Sequence, residues 1–363
     1  MEKKYILVIN PGSTSTKVAI FSERENVITH KIEHMSEDLE KYDNIIEQYQ
    51  YRLDLIMNWL KENNIKTDSL KAVVGRGGLL RPMPGGTYEV TDKMLEDLKV
   101  GIQGEHASNL GGILAKGIAD KEGIKSFIVD PVAVDEFEDV ARISGMKEIK
   151  RRSLLHALNI KAVCHRYAEE NNKNLEDINL VVGHLGGGIS VAPVNKGDII
   201  DVNNANEMGP FSPERTGELP VGDLVKMCFS GEYTLKEIKT KIKGKGGLVG
   251  YLNTNNAKEV QDRIEAGDKK AKLIFDAMAY QIGKEIGKMS VVLEGKVDGI
   301  ILTGGVAHSK MLTSNIEKMV KFIAPLTIYP GEDELEALNE GVLRVLGGQE
   351  EAKIYEKEVN IND

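Results

Sequence analysis

Two arginines lie in loops where a guanidinium group could meet an anion. Arg76 is followed by two glycines, Gly77 and Gly78, and Arg215 lies two residues after Pro213. The planar guanidinium fork matches the oxygen atoms of carboxylate and phosphate groups, and it stays charged at physiological pH. An isolated arginine more often forms a surface salt bridge, so the neighbouring motifs decide between the two interpretations.

Three glycine-rich turns each follow an apolar segment that predicts a buried strand. They span residues 10–16, 183–188 and 303–305. Glycine lets backbone N–H groups approach an anionic oxygen, and hydroxyl and ammonium groups add donors. One such turn is often only a tight turn, but three of them at strand ends, where α/β sheets bind ligands, favour phosphate binding. The predicted phosphate contacts are Ser13, Ser15, Lys17, Gly186, Gly187, Gly188, Gly304 and Gly305.

Other nucleotide-binding signatures are missing from the sequence. The chain has no G-x-x-x-x-G-K-[ST] run, and glycines 186–188 do not open a helix followed by an acidic ribose ligand. The set of protein-kinase motifs is missing as well. We therefore expect a phosphate site of a different architecture.

Acidic and imidazole side chains stand beside the same predicted strand ends. Asp130 ends an apolar segment, where it could cap the next turn or face a magnesium ion. Glu334 opens the last predicted helix, where the helix dipole favours an acid in any case. His184 lies at the start of the second turn, whereas His106 lies in a loop and could equally be polar surface. All four are candidate site residues.

Strands and helices alternate throughout the sequence, which predicts the α/β class. A strand, a glycine-rich turn and a returning strand occur twice, roughly 175 residues apart, which indicates a duplicated architecture. The predicted N-terminal domain comprises residues 1–134 and about 335–363, and the predicted C-terminal domain comprises residues 135–334. A long helical pattern over 256–293 is expected to break near Gly267.

Composition limits the partners that this chain can have. The 363 residues carry a net charge of −9, with 41% hydrophobic and 28% charged residues, which is typical of a folded protein that does not bind nucleic acid. No apolar run approaches about 18 residues, so no membrane partner is expected. The run Tyr5–Ile9 is too short for a signal peptide. Cys164 and Cys228 are expected to be reduced and buried, and the predicted location is cytoplasmic.

Two of the motifs resemble those of a known family. Residues 8–17, Val-Ile-Asn-Pro-Gly-Ser-Thr-Ser-Thr-Lys, resemble the opening signature of the acetate kinase family, with Asn10 where sugar kinases and actin-like ATPases place aspartate. Residues 183–188, Gly-His-Leu-Gly-Gly-Gly, are similar to its second signature. The resemblance covers nearly the whole chain. It implies two duplicated actin-like, ribonuclease H-like domains of the acetate/sugar kinase–Hsp70–actin superfamily, with ATP in the cleft between them. It also implies Mg²⁺ as a cofactor and a homodimer or larger homo-oligomer.

The resemblance implies a carboxylate kinase, which converts a carboxylic acid and ATP into an acyl phosphate and ADP. A carboxylate is already ionised at neutral pH, so the reaction needs charge neutralisation and positioning rather than a general base. By resemblance, Arg76 binds the substrate carboxylate and Arg215 binds the transferring phosphoryl group. The further residues implied for catalysis are Asn10, Asp130 and His184. The residues implied for the magnesium side are Asp130 and Glu334.

One histidine of the family is not matched at its own position. The family's motif contains two histidines, of which the first is a transition-state ligand, and the segment 151–156 matches only the second. The role could have passed to Arg152 or to His156, or it could be absent.

Butyrate is the acid that the resemblance favours. The chain length and residues 75–82 and 209–217 most resemble the branch of the family that acts on butyrate. Gly78 is expected to leave room for two further carbons, although a glycine can also meet a backbone requirement, and His106 is assigned to the substrate site. Branched acids such as isobutyrate or isovalerate would fit similar space. A second alternative is a non-catalytic, nucleotide-gated binding module of the same superfamily, against which Asn10 argues.

Overall fold

Strands and helices alternate along the chain, as the apolar pattern predicts. The computed structural model describes residues 4–360, so the ends of the predicted N-terminal domain, residues 1–3 and 361–363, lie outside the described residues. The strands in the described residues are β1 (Tyr5–Pro11), β2 (Ser15–Ser22), β3 (Glu25–Glu33), β4 (Leu70–Arg76), β5 (Thr87–Glu89), β6 (Lys125–Val129), β7 (Asn179–Leu185), β8 (Ile189–Asn195), β9 (Asp198–Ile199), β10 (Gly299–Gly304), β11 (Leu326–Pro330) and β12 (Lys353–Ile354). The α-helices are α1 (Ser36–Leu39), α2 (Tyr49–Glu62), α3 (Asp92–Val100), α4 (Asn109–Glu122), α5 (Ala157–Glu170), α6 (Val221–Cys228), α7 (Leu235–Ile242), α8 (Gly247–Leu252), α9 (Ala257–Glu265), α10 (Lys269–Val292), α11 (Lys310–Val320), α12 (Glu334–Leu346) and α13 (Tyr355–Glu358).

The first compact unit comprises Met1–Asp135 and Asp333–Asp363. Its seven-stranded sheet has the order β12-β5-β6-β4-β1-β2-β3. β1 and β2 form an antiparallel hairpin, whereas β4 pairs in parallel with β1 on one side and with β6 on the other. The carboxyl ends of β1, β4 and β6 therefore meet at one edge of the sheet.

The second compact unit comprises Glu136–Glu332. Its five-stranded sheet has the order β11-β10-β7-β8-β9. β7 and β8 again form an antiparallel hairpin, and β10 pairs in parallel with β7 and with β11. The strand order β6-β4-β1-β2-β3 of the first unit is thus repeated in the second unit, which confirms the predicted duplicated α/β architecture.

Alternation of side chains along the strands determines which face each polar group occupies. In β1, Leu7 and Ile9 pack into the apolar core with residues of α2 and α4. Because successive side chains point to opposite faces, Asn10 lies on the other face, against which α12 packs. In β7, Leu180 and Val182 belong to the core that includes α5. His184 therefore follows on the α5 face of the second sheet.

Two local expectations have different outcomes. The predicted helix break is confirmed, since α9 ends at Glu265, α10 begins at Lys269, and Gly267 between them has a φ of 93°. Cys164 is buried as expected, but Cys228 is exposed, because α6 buries none of its side chains.

Within residues 4–360, no helix has the length and apolar character needed to cross a membrane.

Candidate active site

The first unit brings three of the predicted residues to one edge of its sheet. Asn10 follows the β1 residue that pairs with Gly75, and Asp130 follows the β6 residue that pairs with Arg76. All three side chains therefore lie at the carboxyl ends of adjacent parallel strands. This is the edge at which α/β sheets bind ligands.

Glu334, the first residue of α12, joins two of these side chains. Its Oε1 accepts a hydrogen bond from Arg76 Nη1 at 2.8 Å, and its Oε2 accepts one from Asn10 Nδ2 at 2.7 Å. The Arg76 and Glu334 side chains are only 15% and 27% exposed, so the pair is stronger than one on the open surface. The other N–H groups of Arg76 make no hydrogen bond to the described residues. They are oriented by the Glu334 contact and remain available to a second carboxylate.

The first glycine-rich turn follows directly from β1. Ser13 is exposed and Ser15 is half-buried. Lys17 pairs with Asn10 across the hairpin, and directly opposed residues of an antiparallel pair share a face of the sheet. Lys17 is exposed and lies on the same face as Asn10. Hydroxyl, ammonium and amide donors therefore surround this strand end.

Asp130 ties the end of β6 to the turn that precedes β5. It is buried and has a φ of 39°, which is rare for a residue other than glycine. Its Oδ1 accepts a hydrogen bond from the Gly86 backbone N–H at 2.7 Å. This contact lies before β5 and not in the turn that follows β6, and the capping and magnesium roles of Asp130 stay predictions.

The donor chemistry at this edge suits Mg²⁺. No group of three or more His, Cys, Asp or Glu side chains is arranged to hold a metal ion in the described part of the chain. Mg²⁺ keeps several water ligands and takes one or two carboxylates, so Asp130 fits as a hard oxygen donor. Glu334 fits less well than the resemblance implies, because both of its oxygens already accept hydrogen bonds from Arg76 and Asn10.

Gly78 faces the start of α4 and not an open pocket. A Cβ atom at this position would lie 2.6 Å from Asn109 Cα and 2.9 Å from Asn109 N. The expectation that Gly78 leaves room for two further carbons is therefore wrong, because the backbone of Asn109 fills that space. His106 lies in the loop before α4, where its exposed ring accepts a hydrogen bond from the Ser108 N–H at 3.2 Å through Nδ1. Its assignment to the substrate stays a prediction.

In the second unit, His184 is held by a hydrogen bond through one nitrogen of its ring. Its Nδ1 donates to Asn159 Oδ1 at 2.7 Å, because an amide oxygen can only accept. Its Nε2 lies 3.0 Å from Glu332 Oε1 but off the direction of a hydrogen bond. Nε2 is thus a buried polar atom with no hydrogen-bond partner in the described residues. It faces the second turn, where a Cβ atom on Gly186 would lie 3.0 Å from it, and the ring of His156 stacks on the same imidazole at 3.9 Å.

The second glycine-rich turn packs directly against Arg215. The guanidinium group lies so close to Gly188 that a Cβ atom there would collide with Nη1. Nη1 donates to the Ala205 carbonyl oxygen at 2.8 Å, and Ser212 Oγ donates to the Gly187 carbonyl oxygen at 2.5 Å. Burial lowers the pKa of Arg215, yet a guanidinium group remains charged at neutral pH. The missing side chain of Gly188 therefore admits a cation beside this turn.

The third turn lies at the same sheet edge as His184, because Thr303 is in register with it. Gly304 has a φ of 89°, and a Cβ atom there would collide with the Leu185 carbonyl oxygen. Only glycine can occupy this position next to β7. A Cβ atom on Gly305 would have no atom within 4 Å, so the surroundings of this second glycine are open.

Sequence reasoning did not identify all the neighbours of His184. Asn159 was missed, although it lies in the first turn of α5, only three residues after His156. Glu332 was also missed as a neighbour of His184, because it lies in the same acidic segment as Glu334 at the start of α12. Of the two alternatives for the family's transition-state histidine, His156 stacks on His184, whereas Arg152 is exposed.

Comparisons with known proteins identify the family of this chain. Residues 142–336 match the model of the acetokinase family. A probable butyrate kinase 2 from Caldanaerobacter subterraneus subsp. tengcongensis is 61% identical over 350 residues, which cover 96% of this chain and 99% of that protein. This chain belongs to the acetokinase family. Butyrate kinase 2 from Clostridium acetobutylicum is 57% identical over 351 residues, which cover 96% of this chain and 99% of that protein.

Solved acetate kinases share the fold of this acetokinase-family member. The crystal structure of Porphyromonas gingivalis acetate kinase has a TM-score of 0.77 and 16% identity, and the match covers 93% of this chain and 99% of that one. Acetate kinase from Entamoeba histolytica has a TM-score of 0.74 and 18% identity, with 93% and 98% covered. At such identities the likeness shows the fold alone, and it confirms the predicted fold class.

The structure of this acetokinase-family member groups the predicted site residues into one set in each unit. The set in the first unit contains Asn10, Ser13, Ser15, Lys17, Arg76, Asp130 and Glu334. The set in the second unit contains His184, Gly186, Gly187, Gly188, Arg215, Gly304 and Gly305. The catalytic and binding roles of these residues stay predictions.

Proposed function

We propose that this chain transfers a phosphoryl group reversibly between ATP and butyrate, with butyryl phosphate and ADP as the products. As a member of the acetokinase family, the chain is a carboxylate kinase. The observation that carries the choice of butyrate is the 61% identity to a probable butyrate kinase 2 over 99% of its length. A branched acid as the main substrate is less favoured, since a second relative of 57% identity is also named a butyrate kinase.

Arg76 is the group best placed to bind the acid. One carboxylate oxygen of butyrate attacks the γ-phosphorus, and it needs no general base because it is already ionised. Glu334 holds one side of the Arg76 guanidinium, and the other N–H groups have no partner among the described residues. Asn10 binds the second oxygen of Glu334, which fixes the orientation of this carboxylate and hence of Arg76. We infer that Glu334 and Asn10 position Arg76 for the substrate.

The phosphoryl group needs donors aimed at its equatorial oxygens while the bond to the leaving ADP oxygen breaks. Arg215 supplies a half-buried positive charge, and the backbone N–H groups of Gly187 and Gly188 supply further donors. His184 Nε2 is buried, has no hydrogen-bond partner in the described residues and faces this turn, so it is placed to contact a phosphoryl oxygen.

Mg²⁺, when bound together with ATP, neutralises negative charge on the phosphate oxygens. Asp130 is the carboxylate of this chain that we assign to it. The backbone N–H of Gly86 fixes the orientation of this buried side chain. The predicted cytoplasmic location and homo-oligomeric assembly stay predictions, and light scattering of the purified protein would measure the assembly.

The proposed activity is tested with the purified chain, MgATP and a panel of acids. Hydroxylamine traps each acyl phosphate as a hydroxamate, which is measured by colour. We expect the highest kcat/KM for butyrate, with lower values for acetate, isobutyrate and isovalerate. A clear preference for a branched acid would replace butyrate as the substrate. Formation of no acyl phosphate from any acid, by protein that binds ATP, would leave only the nucleotide-gated binding module.

A further inference from the structure

A buried arginine lies beneath the first glycine-rich turn and takes no part in the chemistry described above. Arg52, in the first turn of α2, is fully buried. Its Nε and Nη2 donate to Gln48 Oε1 at 3.1 and 2.8 Å, and its Nη1 donates to Thr16 Oγ1 at 3.0 Å. Nη1 and Nη2 also donate to the carbonyl oxygens of Gly12 and Ser13, at 2.9 and 3.3 Å.

All of these partners are neutral. In residues 4–360, Arg52 forms no ion pair with a carboxylate. Burying a guanidinium group without a counter-charge costs free energy, and apolar residues of similar volume often replace buried charges without loss of stability. The cost is visible in the pKa of Arg52, which burial lowers to about 10. The side chain nevertheless stays charged at neutral pH, so a positive charge is kept beneath this turn at a cost to folding.

The contacts of Arg52 determine which way the peptide groups of the turn point. The carbonyl oxygens of Gly12 and Ser13 accept from Arg52, and that of Thr14 accepts from the His34 N–H at 2.9 Å. Because a trans peptide directs its N–H opposite to its C=O, the N–H groups of Ser13 and Thr14 point away from Arg52. Those of Ser13 and Thr14 make no hydrogen bond to any described residue, and both residues are exposed.

Free amide N–H groups on one side of a turn and a buried cation on the other form a site for an anionic oxygen. We propose that Arg52 is a positioning residue of the ATP site, which orients the amide N–H groups of Ser13 and Thr14 toward a phosphate group and adds positive potential behind them. This inference rests on the proposed function, because it takes ATP as the ligand of the turn. Arg52 itself does not touch the ligand.

The test compares two substitutions of Arg52 with a matched core substitution in the same helix. Arg52→Met removes the charge and every donor, and Arg52→Lys keeps the charge but loses the fork that reaches two carbonyl groups. Ile56→Ala, one turn further along α2, removes a fully buried side chain that belongs to the apolar core. The Kd for ATP is measured by calorimetry, together with the KM for butyrate and the melting temperature.

We expect Arg52→Met to raise the Kd for ATP about 10- to 100-fold, the effect expected when one or two amide N–H groups of the turn lose their hydrogen bonds to a charged phosphate oxygen. Arg52→Lys should lie between wild type and Arg52→Met, and the KM for butyrate should change less than the Kd for ATP. Ile56→Ala should lower the melting temperature and leave the Kd for ATP within about twofold. An unchanged Kd in a folded Arg52→Met protein, or an equal rise in Ile56→Ala, would overturn the proposal.

Three further outcomes are separable. If Arg52→Met does not fold, Arg52→Lys provides the test. We then expect faster amide hydrogen exchange in residues 12–16 and a higher Kd for ATP than in wild type. Unchanged values of both would overturn the proposal. Wild-type protein that binds ATP but phosphorylates no acid would refute the proposed function and leave the Arg52 comparison intact. Wild-type protein that does not bind ATP would overturn both.

Discussion

Replacing Gly78 with alanine should destabilise this protein without changing which acid it prefers. Gly78 follows Arg76 by two residues and packs on the first residue of α4, Asn109. The Asn109 side chain is itself engaged, because its Oδ1 accepts from the Leu79 N–H at 2.8 Å and its Nδ2 donates to the Gly104 carbonyl oxygen at 3.0 Å. A new methyl group would therefore press on a residue that ties two loops together.

The size of the effect follows from the distances. A Cβ atom on Gly78 would lie 2.6 Å from Asn109 Cα, so the loop and the helix must separate by about 0.8 Å to reach ordinary contact at 3.4 Å. Overpacking of this kind costs about 1–3 kcal/mol, and a weakened bond from Leu79 adds about 1 kcal/mol. For a unit of this size, a loss of about 2–4 kcal/mol lowers the melting temperature by roughly 4–16 °C.

The assay combines thermal unfolding with kcat/KM for butyrate and for acetate. Gly222→Ala is the matched control, because a Cβ atom there has nothing within 4 Å, and it should behave as wild type. We expect Gly78→Ala to lose activity on both acids by a similar factor, since displacement of the loop also displaces Arg76. A wild-type melting temperature combined with a changed butyrate-to-acetate ratio would refute this reasoning and restore a pocket role for Gly78.

Three further outcomes are expected. Glu334→Gln should lower kcat/KM for butyrate about 10- to 100-fold with a smaller effect on the KM for ATP, because Arg76 loses its charged partner, and equal kinetics to wild type would contradict this. Arg215→Ala should mainly lower kcat, because its proposed partner is charge that develops in the transition state, and a change confined to KM would count against that role. Burial and the nearby Arg52 lower the pKa of His34 from 6.5 to about 4. Between pH 6.5 and pH 4 the unfolded chain therefore binds more protons than the folded protein, so the folded protein loses stability as the pH falls through this range. The free energy of unfolding should drop by about 3 kcal/mol from pH 7 to pH 4 in wild type, and by that much less in His34→Gln, as measured by denaturant titration.

The positions of the strand ends could be predicted because they depend on local pattern. Continuous apolar runs followed by glycine predict buried strands that end in turns, and the carboxyl ends of parallel strands meet at one edge. This reasoning placed Asn10, Arg76 and Asp130 correctly at the ends of strands. It also predicted the duplicated architecture of the two units, because the pattern of strand, glycine-rich turn and returning strand recurs in the sequence.

The partners of these residues could not be predicted in the same way. The contact between Arg76 and Glu334 joins positions 258 residues apart, and no periodicity links them. Gly78 was misread because a glycine that leaves space and a glycine that allows a close approach look identical in a sequence. His34 gave no signal either, although it is buried and its Nε2 contacts Thr16 Oγ1 at 2.8 Å.

The two hairpin turns share a position in the fold but not the chemistry that supports them. In each, a short turn closes with a hydrogen bond from its first residue, from Gly12 N to the Ser15 carbonyl oxygen and from Gly186 N to the Gly188 carbonyl oxygen. The cation of the first turn, Arg52, is buried beneath it and reaches only the carbonyl side, so its charge acts on a ligand through the peptide groups. The cation of the second turn, Arg215, lies against Gly188, where the missing side chain leaves room for the guanidinium group beside the turn. A charge that acts through the backbone is present before and during the reaction alike, so its loss should weaken the binding of ATP. A charge that can contact the phosphoryl group directly can respond to the transition state, so its loss should appear in kcat.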